Sequence, residues 1–207
     1  MKKSKIATTI VEAMVVTLII VMGLTGVYKI YSESIKLTDS VETKIQAIQI
    51  AKEGLEAMTN IRDTNWLLFS SDKKNCWKTF NYDISCIGNA GFTNNILNNG
   101  NYKIYRDIDN RWFIEEDLLG AAGNNYATAL YKSFYGVGID SNGLYTQSGA
   151  TSILKNNYTR QIKTKYTTPP GGVLGDGLEI ESIVRWVDST STKVREVKLK
   201  TVLTNYK

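Results

Sequence analysis

The most constraining feature of this sequence is an apolar run near the N-terminus that contains one carboxylate. From Ile6 to Tyr28, Glu12 is the only charged residue. As a helix these residues are about 35 Å long, which is enough to cross a bilayer with slight tilt. A carboxylate in the membrane costs about 2.5–3.5 kcal/mol at a helix centre on insertion scales. Glu12 therefore requires a partner that offsets this cost.

The charges before the run predict its orientation. Lys2, Lys3 and Lys5 precede it, and positive flanks remain in the cytoplasm. We therefore expect a single-pass inner-membrane protein with a cytoplasmic N-terminus and an exported remainder. A cleavable secretory signal peptide fits less well, because Glu12 would lie inside its apolar core, the run is too long, and no clear A-x-A site ends it.

Composition restricts the chemistry available to the exported part. The chain has 207 residues and no histidine, which excludes Ser–His and Cys–His catalysis and removes the commonest metal ligand. The formal charge is +5, but three of the 25 basic residues are the lysines before the apolar run. The remainder is close to balanced, so bulk charge does not indicate a nucleic-acid partner.

Two cysteines, Cys76 and Cys86, lie ten positions apart in a segment rich in Trp, Asn and Lys. An isolated pair cannot supply four zinc ligands. In an exported domain a disulfide is the natural interpretation, with two free thiols as the alternative.

The helical pattern continues beyond the membrane run. Apolar residues recur at three-, four- and seven-residue steps among polar ones, at Leu37, Val41, Ile45, Ile48, Leu55 and Met58. No proline occurs before Pro169. The pattern predicts one nearly continuous helix from about Thr8 to about Thr59, whose second half must pack its stripe against a surface.

The remainder of the chain favours β-structure. Residues 65–100 read as an irregular connection, residues 102–114 as a hairpin, and Asn142-Gly143 as a turn. Residues 158–166 alternate as a strand, and a loop around 169–172 leads to two long final strands joined by residues 188–193. On these strands one face is predicted to carry Leu178, Ile180, Val184 and Trp186, and one Val197, Leu199 and Leu203. The expected fold class is α+β, a long helix on an antiparallel sheet.

A positive partner for Glu12 arises if the chain is cut between Ala7 and Thr8. The new ammonium then lies four residues, one helical turn, before the glutamate, on this chain or on a neighbour in an assembly. Such a pair would neutralise two groups that are each expensive in lipid and would set the register between subunits. A proton relay or ion site would need more polar partners than Thr17 and Thr25 supply.

These residues carry a resemblance to a known family. Lys-Ser-Lys-Ile-Ala7 followed by Thr8-Thr-Ile-Val-Glu12 and a long apolar helix resembles the leader and N-terminal segment of type IV prepilins and type II secretion pseudopilins. Alanine stands at position 7 where the family usually has glycine, and threonine at position 8 where it usually has phenylalanine. The resemblance implies cleavage between Ala7 and Thr8 by prepilin peptidase and N-methylation of Thr8.

The likeness extends past the leader. Residues 45–66 are similar to a segment of minor pilins and pseudopilins of the V and I types, and residues 183–187 and 197–206 resemble the final hairpin of those proteins. A pilin-like fold then implies a leader (1–7), a transmembrane and assembly helix (8–30), the amphipathic half of that helix (31–62) and an extracytoplasmic β-rich domain (63–207).

The implied function is structural and non-enzymatic, without cofactor or metal. The partners would be prepilin peptidase, other pilin or pseudopilin subunits, the inner-membrane assembly machinery and membrane lipid, and the final location a cell-surface filament. Whether that filament is a pilus, a secretion pseudopilus or a DNA-uptake machine stays open. The alternative is a binding or enzymatic domain on an uncleaved anchor, such as a hydrolase that uses a carboxylate pair.

Other constellations have simpler explanations than ligand binding. Asp107-x-Asp109-Asn110 hints at a calcium loop, but Arg111 and Trp112 stand where an oxygen ligand and glycine are needed, so a polar turn is favoured. Glu115-Glu-Asp117 reads as a solvated acidic face, Gly175-Asp-Gly177 as a turn, and Asn157-Tyr-Thr159 as a glycosylation sequon by pattern only.

A basic strand face suggests DNA as a partner. Arg160, Lys163 and Lys165 accompany Tyr158 and Tyr166 in one strand, a combination that can bind nucleic acid. Tyrosines on the core side of a strand explain the same residues without a ligand, and we favour that interpretation.

Overall fold

The computed structural model describes residues 4–91, 93, 95–107, 109–118, 120, 125–149, 152–154, 157–167, 177–187 and 193–205, with side chains from Thr9 onward except that of Ile153. The chain divides into two compact units, residues up to Glu42 and residues from Thr43. The predicted loops at 169–172 and 188–192 lie outside the described residues, as do Gly175 and Asp176.

The first element is the helix α1, Ser4–Leu68. A long helix was predicted here, but its predicted end at about Thr59 was wrong, because α1 continues nine residues further, to Leu68. The last turns of the helix still pack against the rest of the domain, since Ile61 and Asn65 are almost fully buried. The Asn65 side chain donates to the carbonyl oxygens of Trp77 and Thr79 at 3.3 and 2.5 Å. These tertiary contacts stabilise turns that the sequence pattern alone did not favour.

The buried face of α1 also differs from the predicted stripe. It consists of small and medium residues, namely Ala47, Ile50, Ala51, Gly54, Ala57, Met58 and Ile61. Of the predicted stripe only Met58 is buried and Leu55 half-buried, whereas Ile45 and Ile48 are exposed. Large apolar residues suggest a packing face by themselves, but close approach to a sheet favours small ones.

A mostly irregular connection follows α1 as expected, except that residues 65–68 of the predicted connection belong to the helix. It contains α2, Lys73–Cys76, and a 3₁₀ turn, Ile84–Cys86. Cys76 and Cys86 form a disulfide. The bridge is fully buried beside Phe69 and Ile96 and ties the two short helical segments together.

The main sheet has five antiparallel strands in the order β2-β1-β6-β7-β8. The strands are β1 Gly100–Arg106, β2 Trp112–Glu116, β6 Thr159–Thr167, β7 Gly177–Val187 and β8 Val194–Thr204. The predicted hairpin and the predicted final strands are thus confirmed, and the fold class is α+β with α1 packed on the sheet.

A smaller sheet and a third helix lie between β2 and β6 in the chain. Its strands are β3 Gly138–Ile139, β4 Tyr145–Thr146 and β5 Ser152–Ile153, and they lie in the order β4-β3-β5. The predicted turn at Asn142-Gly143 joins β3 to β4, and Gly143 has a positive φ of 79°. The helix α3, Ala129–Tyr135, begins after Thr128, whose side chain caps it.

Two core clusters form where α1 meets the main sheet. Alternate residues of each strand face the helix, so Leu178, Ile180, Val184 and Trp186 share one face as predicted. One cluster surrounds Met58 with Tyr102, Ile104 and Ile114, and the other surrounds Ile50 with Tyr158, Val184 and Trp186.

Candidate functional site

The first candidate site is the N-terminal part of α1. Its apolar side chains are exposed on every side of the helix, with Ile10, Ile19, Met22 and Val27 all more than half exposed. This helix is long and apolar enough to cross a membrane. An all-round apolar surface is stable in lipid or among other helices rather than in water. The structure therefore supports a membrane-anchored protein.

Glu12 lies within this apolar surface. Its position is exposed, and among the side chains that the structure describes it has no ion-pair partner. The backbone of Ala7 and Thr8 is helical, one turn before Glu12, and their side chains lie outside the described ones. Thr17 and Thr25, polar residues further along the apolar run, donate to carbonyl oxygens of their own helix. The charge pairing expected for Glu12 stays a prediction.

A second candidate is an arginine buried between α1 and the sheet. Arg160 of β6 is fully enclosed, and its Nη1 lies 3.0 Å from Oε2 of Glu53 on α1. Its Nε donates to Oε1 of Gln147 at 3.0 Å, and its Nη2 donates to the carbonyl oxygen of Ile104 at 3.1 Å. Burial lowers the pKa of Arg160, and the charge of Glu53 acts in the opposite direction. The guanidinium group therefore makes its hydrogen bonds inside the domain.

Gln147, the first residue of the loop after β4, completes this cluster. Its amide nitrogen donates to the carbonyl oxygens of Tyr135 and Arg160, and its amide oxygen also accepts from the Ile104 N–H. The cluster therefore joins α1, β1, β6 and the loop after β4. We assign it a structural role, since the hydrogen bonds of Arg160 and Gln147 go to one another, to Glu53 and to backbone carbonyl groups, although Gln147 also borders a surface cleft.

The alternative basic face of residues 158–166 is not assembled, and the favoured interpretation, a tyrosine on the core side of the strand, is confirmed for Tyr158. Arg160 points toward α1, whereas Lys163 and Lys165 are exposed on the opposite face of β6. Tyr158 is buried against Trp186 and donates to the carbonyl oxygen of Thr43. The strand therefore presents two lysines in place of a continuous basic and aromatic surface, which removes the sequence argument for DNA.

A third polar cluster lies on the outer face of the sheet, under α3. Arg185 contacts Oε2 of Glu196 at 2.6 Å and donates to the hydroxyl of Tyr131 and to Gln161 Oε1. Nearby, the Tyr135 hydroxyl donates to Oδ2 of Asp117 at 3.0 Å. Burial, together with the carboxylate, raises the pKa of Tyr135 far above its usual value, so this phenol stays protonated. These contacts attach α3 to β6 and β7.

The carboxylates of the acidic motifs pair with basic side chains, and one motif forms a turn. Asp107 and Asp109 both bind Arg111, and Asn110 has the positive φ of a turn residue. Glu115 pairs with Lys103 at 2.8 Å. Among the residues that the structure describes, no cluster of three or more candidate ligands could hold a metal.

Two clefts open on the domain surface. One of about 510 Å³ lies beside the end of α3, and its lining residues include Lys132, Gly136, Gln147 and Tyr158. The other, of about 600 Å³, is bordered by Phe80, Asn81 and the acidic residues at the end of β2. In the described part of the chain, no hydrogen bond joins a serine or threonine hydroxyl of either cleft to a lysine or carboxylate that could act as its base.

Comparison of the chain with protein-family models, with curated proteins and with solved structures found no match.

Proposed function

We propose that this protein is a structural subunit of a membrane-derived filament, a minor type IV pilin or a type II secretion pseudopilin. The observation that carries the proposal is the combination of a long apolar helix, exposed all round, with one carboxylate one turn after the Ala7–Thr8 bond. In lipid that carboxylate is tolerable with a cation beside it. Cleavage at this bond would create one.

In this proposal prepilin peptidase removes residues 1–7 and the new Thr8 amino group is methylated. The apolar helix then leaves the bilayer to pack against helices of neighbouring subunits, with help from the inner-membrane assembly machinery. The Thr8 ammonium and Glu12 set the axial offset between subunits, while the β-rich domain faces outward. No catalytic step is assigned to the chain.

The decisive experiment is intact-mass analysis of the protein recovered from membranes of a host that expresses prepilin peptidase. The expected mass corresponds to a chain that begins at Thr8, with or without one methyl group. A matched sample from a host without the peptidase should retain Met1. A full-length chain in both hosts would contradict the proposal and favour an uncleaved anchor that carries a binding or enzymatic domain.

A second experiment separates insertion from assembly. Glu12→Ala should leave membrane insertion and cleavage intact but reduce incorporation into filaments, measured by immunoblotting of sheared filaments against the membrane fraction. Thr17→Ala is the control, since Thr17 is polar and lies in the same helix but bonds only its own backbone in the described structure. Normal assembly of the Glu12 variant would rule out the pairing.

A further inference from the structure

Side chains from the connection after α1 cover the β2 edge of the main sheet. The Asn81 amide donates to the carbonyl oxygen of Ile114 at 3.0 Å and accepts from its N–H at 3.1 Å. The Tyr82 hydroxyl donates to the carbonyl oxygen of Trp112 at 3.2 Å. Backbone groups that point away from an edge strand would otherwise be open to another strand. Asn81 and Tyr82 therefore take the place that a further strand would have at this edge.

The two covering residues lie in a strained backbone conformation. The φ angle is 57° at Asn81 and 59° at Tyr82, so both residues are left-handed. Asparagine tolerates this region, but a bulky side chain such as that of tyrosine is an outlier there. Strain of this kind persists only where the surrounding structure imposes it. Contacts on both sides of the segment must therefore hold it against the edge.

The side of the segment before Asn81 is anchored in the domain core. Phe80 and Trp77 are almost fully buried in the cluster that surrounds Met58 of α1. The Asn65 side chain also donates to the carbonyl oxygens of Trp77 and Thr79. None of these contacts involves a cysteine, so we expect this side to stay in place whether or not the disulfide is formed.

The side after Tyr82 is anchored mainly by the disulfide. Between residues 84 and 91 every residue is exposed except Cys86, which is fully buried and bonded to Cys76. Two hydrogen bonds on this side lie at the surface, from the amide of Asn95 to Asp83 and from the N–H of Gly88 to Asp72. Exposed hydrogen bonds contribute little net stability, because water replaces them readily. The buried sulfur of Cys86 is therefore the main attachment of this side.

We propose that residues 76–86 form a redox-sensitive strap on the β2 edge. Asn81 lies midway between the two cysteines in the ring that the bridge closes, so the closed ring holds Asn81 and Tyr82 on the edge. A dithiol reductant supplies two electrons and two protons that convert the bridge into two thiols, while the dithiol closes into its cyclic disulfide. The side after Tyr82 is then released, and the outward backbone groups of Ile114 and Trp112 become exposed. The proposal does not depend on cleavage or on filament assembly.

The strand β2 supplies both a reporter of the strap and an internal reference. In an antiparallel pair, alternate residues of an edge strand direct their N–H groups toward the neighbouring strand and away from it. The N–H of Ile114 points away from β1 to Asn81, so the N–H groups of Phe113 and Glu115 point toward β1. Opening of the strap therefore exposes the Ile114 amide alone, whereas unfolding of the hairpin exposes all three amides.

The test is amide hydrogen exchange, measured by NMR on the full chain in detergent. In the Cys76→Ser, Cys86→Ser double variant and in the parent reduced with dithiothreitol, the Ile114 amide should exchange at least about tenfold faster than in the oxidised parent. Exchange at Phe113 and Glu115 should change by less than about twofold. Reoxidation of the parent should restore slow exchange at Ile114, whereas the double variant should not respond to dithiothreitol.

A second variant tests the cover without altering the bridge. Asn81→Ala should accelerate exchange at Ile114 in the oxidised protein. Asn89→Ala is the matched control and should leave Ile114 unchanged, since in the described part of the chain the Asn89 side chain accepts only from the nearby Gly91 N–H.

Two results would overturn the proposal. Unchanged exchange at Ile114, after loss of the bridge or after Asn81→Ala, would show that the bridge or the asparagine does not control this edge. Equal acceleration at Phe113 and Glu115 would show that the whole hairpin opens rather than the strap.

Discussion

Glu53 and Arg160 form an ion pair across the interface between α1 and the sheet, with 3.0 Å between Oε2 and Nη1. The two residues are 107 positions apart in the chain. Arg160 is fully buried and Glu53 is one-fifth exposed, so the carboxylate is the main compensation for an enclosed cation. The pair therefore couples the position of the helix to the folding of the central strand.

Removal of this carboxylate should destabilise the domain strongly. Glu53→Gln is expected to lower the free energy of unfolding by about 3 kcal/mol, because it leaves a buried guanidinium without a counter-charge. Denaturant titration of the purified chain, followed by tryptophan fluorescence, would measure the change. Glu56→Gln, which breaks the exposed pair with Lys52, is the control and should cost less than about 0.5 kcal/mol. Similar costs for the two variants would contradict a special role for Arg160.

The close approach of α1 to β7 depends on Gly54. A Cβ at this position would lie 2.8 Å from Oγ of Ser182 and 3.0 Å from Cδ1 of Ile162. Gly54→Ala should therefore cost about 1–3 kcal/mol, although alanine is the better helix former.

A double-mutant cycle identifies the cause of that cost. Ser182 Oγ is buried without a hydrogen-bond partner among the described groups, so Ser182→Ala alone should be close to neutral. In the Ser182→Ala background, Gly54→Ala should be milder by at least about 0.5 kcal/mol. Additive effects would indicate that the clash is with the side chain of Ile162 or of Arg160.

Loss of the disulfide should destabilise the connection after α1. The bridge closes a loop of ten residues' separation, for which the chain-entropy relation predicts about 2–3 kcal/mol. The Cys76→Ser, Cys86→Ser double variant should unfold at a lower denaturant concentration than the parent, and added reductant should shift only the parent. If reductant does not change the parent's midpoint, the bridge does not form in the purified protein.

Asp72 links the stability of the same region to pH. Hydrogen bonds from the Asn75 side chain and the Gly88 N–H lower the pKa of Asp72, so its folded value lies below its unfolded one. Its contribution is therefore complete above about pH 4 and is lost as the pH falls through the folded pKa. Thermal melts between pH 2 and 7 should show Asp72→Asn with a smaller loss of stability on acidification. Parallel curves for the two proteins would count against this assignment.

The comparison of α1 with its prediction shows where local pattern reaches its limit. Periodicity correctly indicated a long helix, but it selected Ile45 and Ile48 as the packing face because they are large and apolar. The structure uses Ala47, Ala51 and Gly54 instead, since small side chains allow the helix to approach the sheet closely. Ile45 and Ile48 are left exposed instead. Side-chain size at a contact depends on the partner surface, which a single segment does not reveal.

The polar residues show the same limit. Arg160 was grouped with Lys163 and Lys165 as a basic surface, but alternation in a strand places residues 160 and 163 on opposite faces. The signal available from sequence was this parity, together with the neighbouring core residue Ile162. Which acid would meet the buried guanidinium was not predictable, because Glu53 lies more than 100 residues away.

The sequence by itself determined the elements whose signals are local: the membrane-length helix with Glu12 inside it, the hairpin of β1 and β2, the final strands, and the proximity of Cys76 and Cys86. Only the tertiary structure decided the strand order, the burial of Arg160 and its ion pair with Glu53. The physical reason is range. Periodicity and turn chemistry act over a few residues, whereas burial, ion pairing and strand order depend on which distant segments meet.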